Sequence, residues 1–424
     1  MAEEQLNRDQ RSEILNMLSE RVISKFYDPN LRGVDWKAAV DRHREAILSA
    51  ESAESFELAV GKLLAELKTS HVGFYKQRPQ RATARMAISA TYSAESIEGQ
   101  DRWVFQIVHE GGPGARAGLK AGDVLLSVDG RIYSPPEHPS FPLGKKTIVQ
   151  VLTNEGRPVT RKLDIPIASK KRFQLPYVQP TLVVPKRIRH DIGYLRISMF
   201  PGVVGVDVAN EITTAIRQLH PVNRLIIDLR GNSGGGLAVV RLMSLLTPER
   251  LPIGYSEHRS QSGMSSDAQR FPVFDSIPQR KLVLKWLTVK FGWRIAAAKL
   301  GLRVKPILLR TEGLEPKPFS KRVVLLVDRH TASASEIVAA FARENGLAVL
   351  VGEPTSGRLL SGDDFKLSGG YRVALPVGVY RTAHGWVLEG SPVEPDVHVP
   401  FDSSAARSGA DPQLERAVEV VSTL

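Results

Sequence analysis

The sequence predicts a multidomain α/β protein: a helical N-terminal segment, a mainly β middle region and an α/β C-terminal region. Three observations carry this. Around residues 11–18, 36–50 and 55–67, apolar side chains recur three and four apart, the spacing of amphipathic helices. Residues 83–168 change to short runs such as Trp103-Val-Phe-Gln-Ile-Val108, separated by Gly and Pro, which read as strands. Farther on, apolar runs of buried-strand type, such as Leu225-Ile-Ile-Asp-Leu229 and Val323-Val-Leu-Leu-Val327, each lead into a turn and then a helical pattern.

Taken in order, Met1 to Gln10 is acidic and polar, with no apolar core and no small-residue cleavage site, so it does not read as a signal peptide. A cytoplasmic location is expected, or a periplasmic or exported one if a leader has been removed. The first domain, residues 1–80, is helical up to His71. Within the second, residues 83–168, the stretch Gly112-Pro-Gly-Ala-Arg-Ala-Gly-Leu-Lys-Ala-Gly-Asp-Val-Leu-Leu-Ser-Val-Asp-Gly130 reads as helix, turn and strand. Residues 169–190, basic and rich in proline, read as a linker to a last domain at 191–424, which carries a basic insertion at about 255–320.

Composition narrows the chemistry. Hydrophobic residues at 42% with 24% charged describe an ordinary globular chain. The absence of cysteine excludes disulfides, thiol catalysis and Cys-based metal sites. No metal-ligand cluster of the H-E-x-x-H kind occurs, and no stretch reaches the roughly 18 apolar residues of a membrane span. The net charge of +12 is partly local: from Ser276 to Thr311 there are nine Lys or Arg and no acid. There Leu282, Trp286, Val289, Trp293 and Leu300 share a helical face. The segment 280–303 is either an interfacial helix on an anionic membrane surface or a lid packed over the C-terminal domain, and its place in the sequence favours the lid. No recognition-module motif accompanies the charge, so no nucleic-acid partner is expected.

Chemistry concentrates in Thr331-Ala-Ser-Ala-Ser-Glu336, which ends a strand and opens a helix. Small residues let a substrate backbone approach a serine, and free N–H groups at a helix start face an oxyanion formed there. In isolation the same stretch is a Ser/Thr-rich helix cap. Two other segments change that: Leu225-Ile-Ile-Asp-Leu-Arg-Gly-Asn-Ser-Gly-Gly-Gly236, a strand followed by a glycine turn, and Val351-Gly-Glu-Pro-Thr-Ser-Gly357, a strand followed by a tight turn. The glycine turn lacks the Lys-Ser/Thr sequel and G-x-G-x-x-G spacing of a nucleotide loop.

In this order, with Ile192-Gly-Tyr-Leu-Arg-Ile197 and Asp411-Pro-Gln-Leu-Glu-Arg-Ala417, these segments resemble the carboxyl-terminal processing peptidases and their tricorn-core relatives. The likeness is close over about residues 190–424, and Gly112–Gly130 resembles the PDZ pattern G-S-P-A-x-x-A-G-L-x-x-G-D-x-I. The resemblance implies a crotonase-like α/β protease domain with an inserted PDZ domain. It also implies a serine peptidase acting on unstructured or C-terminal segments of proteins, without a cofactor. It places the nucleophile at Ser333, with Ser335 a structural neighbour, and the oxyanion donors at Gly234 or Gly235 and Ala334. Where the processing branch carries a lysine base this chain has Arg358, and a guanidinium keeps its proton. The base then falls to His71, in Leu67-Lys-Thr-Ser-His-Val-Gly-Phe-Tyr75, which resembles the D-x-H-T segment of tricorn-like members. The orienting carboxylate falls to Glu389, in Glu389-Gly-Ser-Pro-Val-Glu-Pro-Asp396, although Gly390 and Pro392 depart from the pattern and Glu394 is a substitute. The PDZ carboxylate-binding loop is placed near Arg85, Met86, Ala87 and Ile88, without its usual glycines, so the module either captures peptides or braces the site. A second reading of the whole chain is a catalytically silent peptide-binding scaffold that kept the fold after losing the lysine.

Overall fold

The computed structural model of the chain describes residues 6–77, 80–153, 155–167, 179–261, 270–280, 283, 291–294, 296–298, 300–314 and 322–424. The chain divides into two compact units, each assembled from segments distant in sequence. The first comprises Met1–Arg78, Leu251–Thr311 and Gly357–Pro392; the second comprises Pro79–Arg250, Glu312–Ser356 and Val393–Leu424.

In the first unit, helices Arg8–Lys25, Trp36–Leu48 and Ala53–Ala65 begin where Asn7, Asp35 and Ser52 accept backbone N–H groups that the helix leaves free. Their apolar faces, with Ile14, Leu18, Val22, Phe56, Val60 and Leu63 all but inaccessible, cover Tyr371, Val373 and Leu375. Those three belong to Tyr371–Thr382, the spine of a sheet in the order Gly73–Lys76, Tyr371–Thr382, Pro252–His258, Leu308–Arg310, Val273–Phe274, with Leu360–Lys366 also paired to the spine. Residues 251–311 and 357–392 therefore join the N-terminal helices, and neither 1–80 nor 191–424 stands as a domain of its own. The physical reason is that a short helical hairpin is apolar on one stripe and needs a second layer to bury it.

In the second unit, the β-rich region forms a five-stranded antiparallel sheet, Ala90–Ile97, Gln100–Val108, Val124–Val128, Lys145–Leu152, Pro158–Ile165, around a core that includes Trp103, Phe105, Tyr133 and Phe141. A separate sheet runs Val397–His398, Val349–Gly352, Val323–Val327, Arg224–Asp228, Ile192–Ile197, Val183–Arg187. Its pairings are parallel except at Val183–Arg187, which is antiparallel and lies within the expected linker. Every residue of Val323–Val327 is inaccessible, as a continuous apolar run in a sheet covered on both faces requires. Helices Val206–Leu219, Val239–Ser244, Ala334–Glu344 and Pro412–Thr423 complete it. The loops after the adjacent parallel strands Arg224–Asp228 and Val323–Val327 leave from the same, carboxyl, end of the sheet, the edge where open α/β sheets place ligands. Among the described residues no helix is long and apolar enough to cross a membrane.

Candidate active site

The residues singled out by sequence fall into two groups, one in each unit. In the second unit, Ser333 sits between the strand and the helix Ala334–Glu344 at φ 56° and ψ −126°. A serine in that region carries strain of about 1–3 kcal/mol and persists only where its surroundings over-determine it. Here they do. The Ser333 N–H donates to Glu336 Oε2 at 3.0 Å, and Glu336 Oε1 accepts from the Thr355 hydroxyl at 2.7 Å, with Glu336 fully buried.

Asp328, also fully buried, accepts from His330 N–H, Thr331 N–H and the Thr331 hydroxyl at 2.8–3.1 Å. The same carboxylate accepts Gly231 N–H at 3.0 Å, so one side chain holds both the serine loop and the glycine loop. Asn232 adds a second tie: its carbonyl accepts Ala332 N–H, and its side chain donates to Ile197 O and accepts Gly234 N–H at 2.8 Å. Gly234 is thus a committed donor and cannot also serve an oxyanion. Gly236 N–H is bonded to Phe200 O, whereas Gly235 N–H and Ala334 N–H meet no acceptor among the described residues.

Both glycines are required by space. A Cβ on Gly234, at φ +89°, would stand 2.6 Å from Ala334 N and 2.8 Å from Ser333 Cβ; one on Gly235 would stand 1.9 Å from Phe200 O. Gly235→Ala is therefore expected to displace a free N–H and lower kcat about 100-fold or more, the usual cost of one lost oxyanion donor. Peptide kinetics read beside the thermal midpoint separate this from unfolding.

In the first unit, His71 lies before the strand Gly73–Lys76, with φ 59°. Its Nδ1 is 2.7 Å from Ser70 Oγ, and Ser70 Oγ donates to Glu389 Oε2 at 2.6 Å. A hydroxyl has one proton, and a carboxylate only accepts. With that proton given to Glu389, Ser70 can only accept from His71, which fixes the proton on Nδ1 and leaves Nε2 with its lone pair. Glu389 is itself held by Ser70 N–H at 2.7 Å, the Thr69 hydroxyl at 3.0 Å and Leu359 N–H at 3.1 Å. Burial pushes the His71 pKa down; Glu389 pulls it up and Arg358 pushes it down, and the net is below the ordinary histidine value. Neutral imidazole is thereby favoured at neutral pH. Ser70 is the participant that sequence reasoning passed over, and its only signal was a hydroxyl next to His71. The Glu394 side chain points to solvent, and Arg358 is exposed.

The expected carboxylate-binding loop is not a loop. Residues Ala84–Ile88 are a short helix, with Ala87 and Ile88 inaccessible in the core of the β-rich region, while Arg85 Nη2 reaches His330 O at 3.4 Å. Neighbouring groups make similar contacts: His330 Nε2 lies 2.9 Å from Tyr92 O, and Gln106 donates to Glu353 at 3.0 Å. His330, three positions before Ser333, is thus held by the β-rich region, which braces the serine loop. Burial lowers the pKa of His330 and takes that of His109, beside Gly231, to about 3, so both stay neutral within this packing.

Residues 191–399 match the model of peptidase family S41, and residues 107–131 match that of a PDZ domain. The chain is 26% identical over 403 residues to carboxyl-terminal-processing peptidase 2, chloroplastic, of Arabidopsis thaliana, covering 90% of this chain and 67% of that protein. It is 23% identical over 422 residues to putative tricorn protease homolog 2 of Streptomyces coelicolor, covering 93% of this chain and 31% of that one. Among solved structures, mature CPAF complexed with lactacystin aligns at TM-score 0.61 and 16% identity, covering 98% of both chains. The photosystem II D1 C-terminal processing protease aligns at 0.53 and 19% identity, covering 92% of this chain and 94% of that one, a likeness of fold. The chain accordingly has the peptidase S41 fold with a PDZ domain, the fold of the serine-type C-terminal processing peptidases.

Proposed function

We propose that the protein is a serine endopeptidase that hydrolyses peptide bonds in unstructured or C-terminal segments of proteins by a histidine-based mechanism. Ser333 Oγ attacks the carbonyl carbon and its proton passes to His71 Nε2. The oxyanion is received by the N–H groups of Gly235 and Ala334. The imidazolium then protonates the leaving amine, and water repeats the cycle on the acyl-enzyme. Ser70 and Glu389 are positioning residues that hold the tautomer and stabilise the imidazolium. The observation that carries this reading is the Glu389–Ser70–His71 chain of hydrogen bonds, because it supplies a base where Arg358 cannot act. The peptide-segment substrate rests on the names of the relatives. A fluorophosphonate probe tests the chemistry: it is expected to label Ser333 and to leave Ser333→Ala unlabelled. A folded wild-type protein that resists the probe would favour the silent scaffold.

The pH dependence follows from the sign of the His71 shift. Only neutral imidazole accepts the serine proton, so kcat/KM rises with pH through the His71 pKa, and this acid limb is expected below the ordinary histidine value of about 6.5. Arg358→Ala removes an influence that lowers this pKa and should move the limb to higher pH while nearly preserving the plateau. The move should shrink in salt, since Arg358 is exposed. A limb that stays put or moves to lower pH in this variant would argue against His71 as the base.

Ser70→Ala keeps both His71 and Glu389 but cuts the bond between them. We expect kcat to fall about 10- to 100-fold with KM little changed, because orientation and charge stabilisation are lost in the transition state. Ser70→Thr, which restores the hydroxyl, should recover part of the rate, and steady-state kinetics on one peptide decide it.

A further inference from the structure

We propose that the basic insertion of the first unit is a docking surface for anionic phospholipid. The inference is independent of the peptidase reading. The described residues 291–294 and 296–298 are helical, and their inward side is fixed to the unit. Phe291, Ala297 and Ala298 are buried, Phe291 meets Phe274 edge-on at 5.8 Å, and Ser260 Oγ donates to Ala298 O at 3.1 Å. Gln261 Nε2 donates to Val304 O at 2.6 Å, holding the chain beyond the helix as well.

The outward side is apolar where a protein that meets only water would be polar. Trp293 is 54% exposed, Leu300 79% and Leu302 57%. The helix closes with Leu302 N–H bonded to Ala297 O and Gly301 N–H to Ala298 O, Gly301 taking φ +84°. That closure commonly folds the residue after the glycine back over the helix. Here it instead leaves leucines exposed on both sides of Gly301. Isolated exposed leucines are ordinary, but these stand in a run from Ser276 to Thr311 with nine cations and no acid. The Arg294 guanidinium lies 4.6 Å over the Trp293 ring, and Arg303 and Lys305 are exposed beside the leucines.

A tryptophan and aliphatic side chains set among cations suit the boundary of an anionic bilayer, where the rings and leucines enter the acyl region and the cations stay with the headgroups. Nucleic acid would use the same cations but offers the leucines nothing. Of the apolar face expected to pack as a lid, Trp293 and Leu300 are exposed, and Leu282, Trp286 and Val289 lie outside the described residues. Most of the lysines of the run also lie outside the described residues.

Co-sedimentation of the full chain with vesicles of phosphatidylcholine alone, or mixed with phosphatidylglycerol, tests this. Binding is expected only to the phosphatidylglycerol vesicles and should fall at least tenfold from low to high salt. Arg294→Glu with Arg303→Glu should abolish it, and Leu300→Ser with Leu302→Ser should weaken it about tenfold; Leu300, Leu302 and Arg303 are exposed and Arg294 is half-buried, and circular dichroism checks that the variants fold. No binding to phosphatidylglycerol vesicles would overturn the proposal. So would binding indifferent to the leucine pair, which is adsorption by charge alone. Altered peptide turnover in the leucine variants without any vesicle binding would return the segment to a lid.

Discussion

Ser333→Ala is expected to remove peptide hydrolysis, by about four orders of magnitude or more, while the protein stays folded. The substitution deletes the atom that bonds to the substrate and little else, since the backbone strain at this position is the same for alanine. His71→Ala should produce a loss of similar size, since a nucleophile without its base gains nothing from being well placed. Arg358→Ala should not. Turnover on a single peptide, measured beside the thermal midpoint of each variant, decides among mechanisms. Loss at Ser333 and Arg358 with His71→Ala still active would reject the histidine base, and full activity of Ser333→Ala would reject the nucleophile.

The second large effect is on stability. Arg230 is 4% exposed and donates to both oxygens of Asp228, both oxygens of Asp411 and Gln413 Oε1. Asp228 is fully buried and also accepts the Tyr194 hydroxyl at 2.7 Å, while Arg196 stands 3.8 Å away. Burial alone would raise the Asp228 pKa; Arg230 and then Arg196 overcome it and hold the group below the usual carboxylate range. Arg230→Ala leaves that carboxylate buried without its main partner, and a cost of about 3–5 kcal/mol is expected from urea unfolding. A group with a depressed folded pKa contributes stability above its unfolded value and loses it as pH falls through the folded one. The gap between wild type and variant should therefore narrow in strong acid. Arg8→Ala, which breaks an exposed pair with Glu45, should leave the unfolding curve unchanged. A comparable loss in both variants would mean that the Arg230 network is no more than a surface contact.

The strand-turn-helix around Ser333 was legible in sequence because everything that announces it is local: a buried strand, a small-residue turn and a helix follow within twenty residues. The PDZ region was legible for the same reason. Ser70 was not, because a serine beside a histidine has no meaning until Glu389 arrives through the packing of distant strands. Asp328 escaped notice because its four N–H and O–H partners come from two loops nearly a hundred positions apart, at Gly231 and Thr331. The 85–88 stretch was read as a loop from its position before the PDZ pattern, despite its lack of glycines, whereas it is a short helix whose Ala87 and Ile88 turn into a core. The division into units was hidden because periodicity reports which face of a strand is buried and says nothing of which strand lies beside it.

The pairing of Gly73–Lys76 with Tyr371–Thr382 sets a timetable for synthesis. Gly73 lies opposite Ala374, and the Ser70 bonds to Glu389 span 319 positions. A ribosome adding about 5–20 residues per second needs roughly 15–60 s to cover that distance. Throughout it the helix faces bearing Ile14, Leu18 and Phe56 have no sheet to cover them, so this unit has a high contact order and folds late. Parallel strands 192–197, 224–228 and 323–327, by contrast, are complete before residue 371 is made. The loop at Ser333 can take shape early, but the Ser70–His71 pair meets Glu389 only after residue 389 has been made.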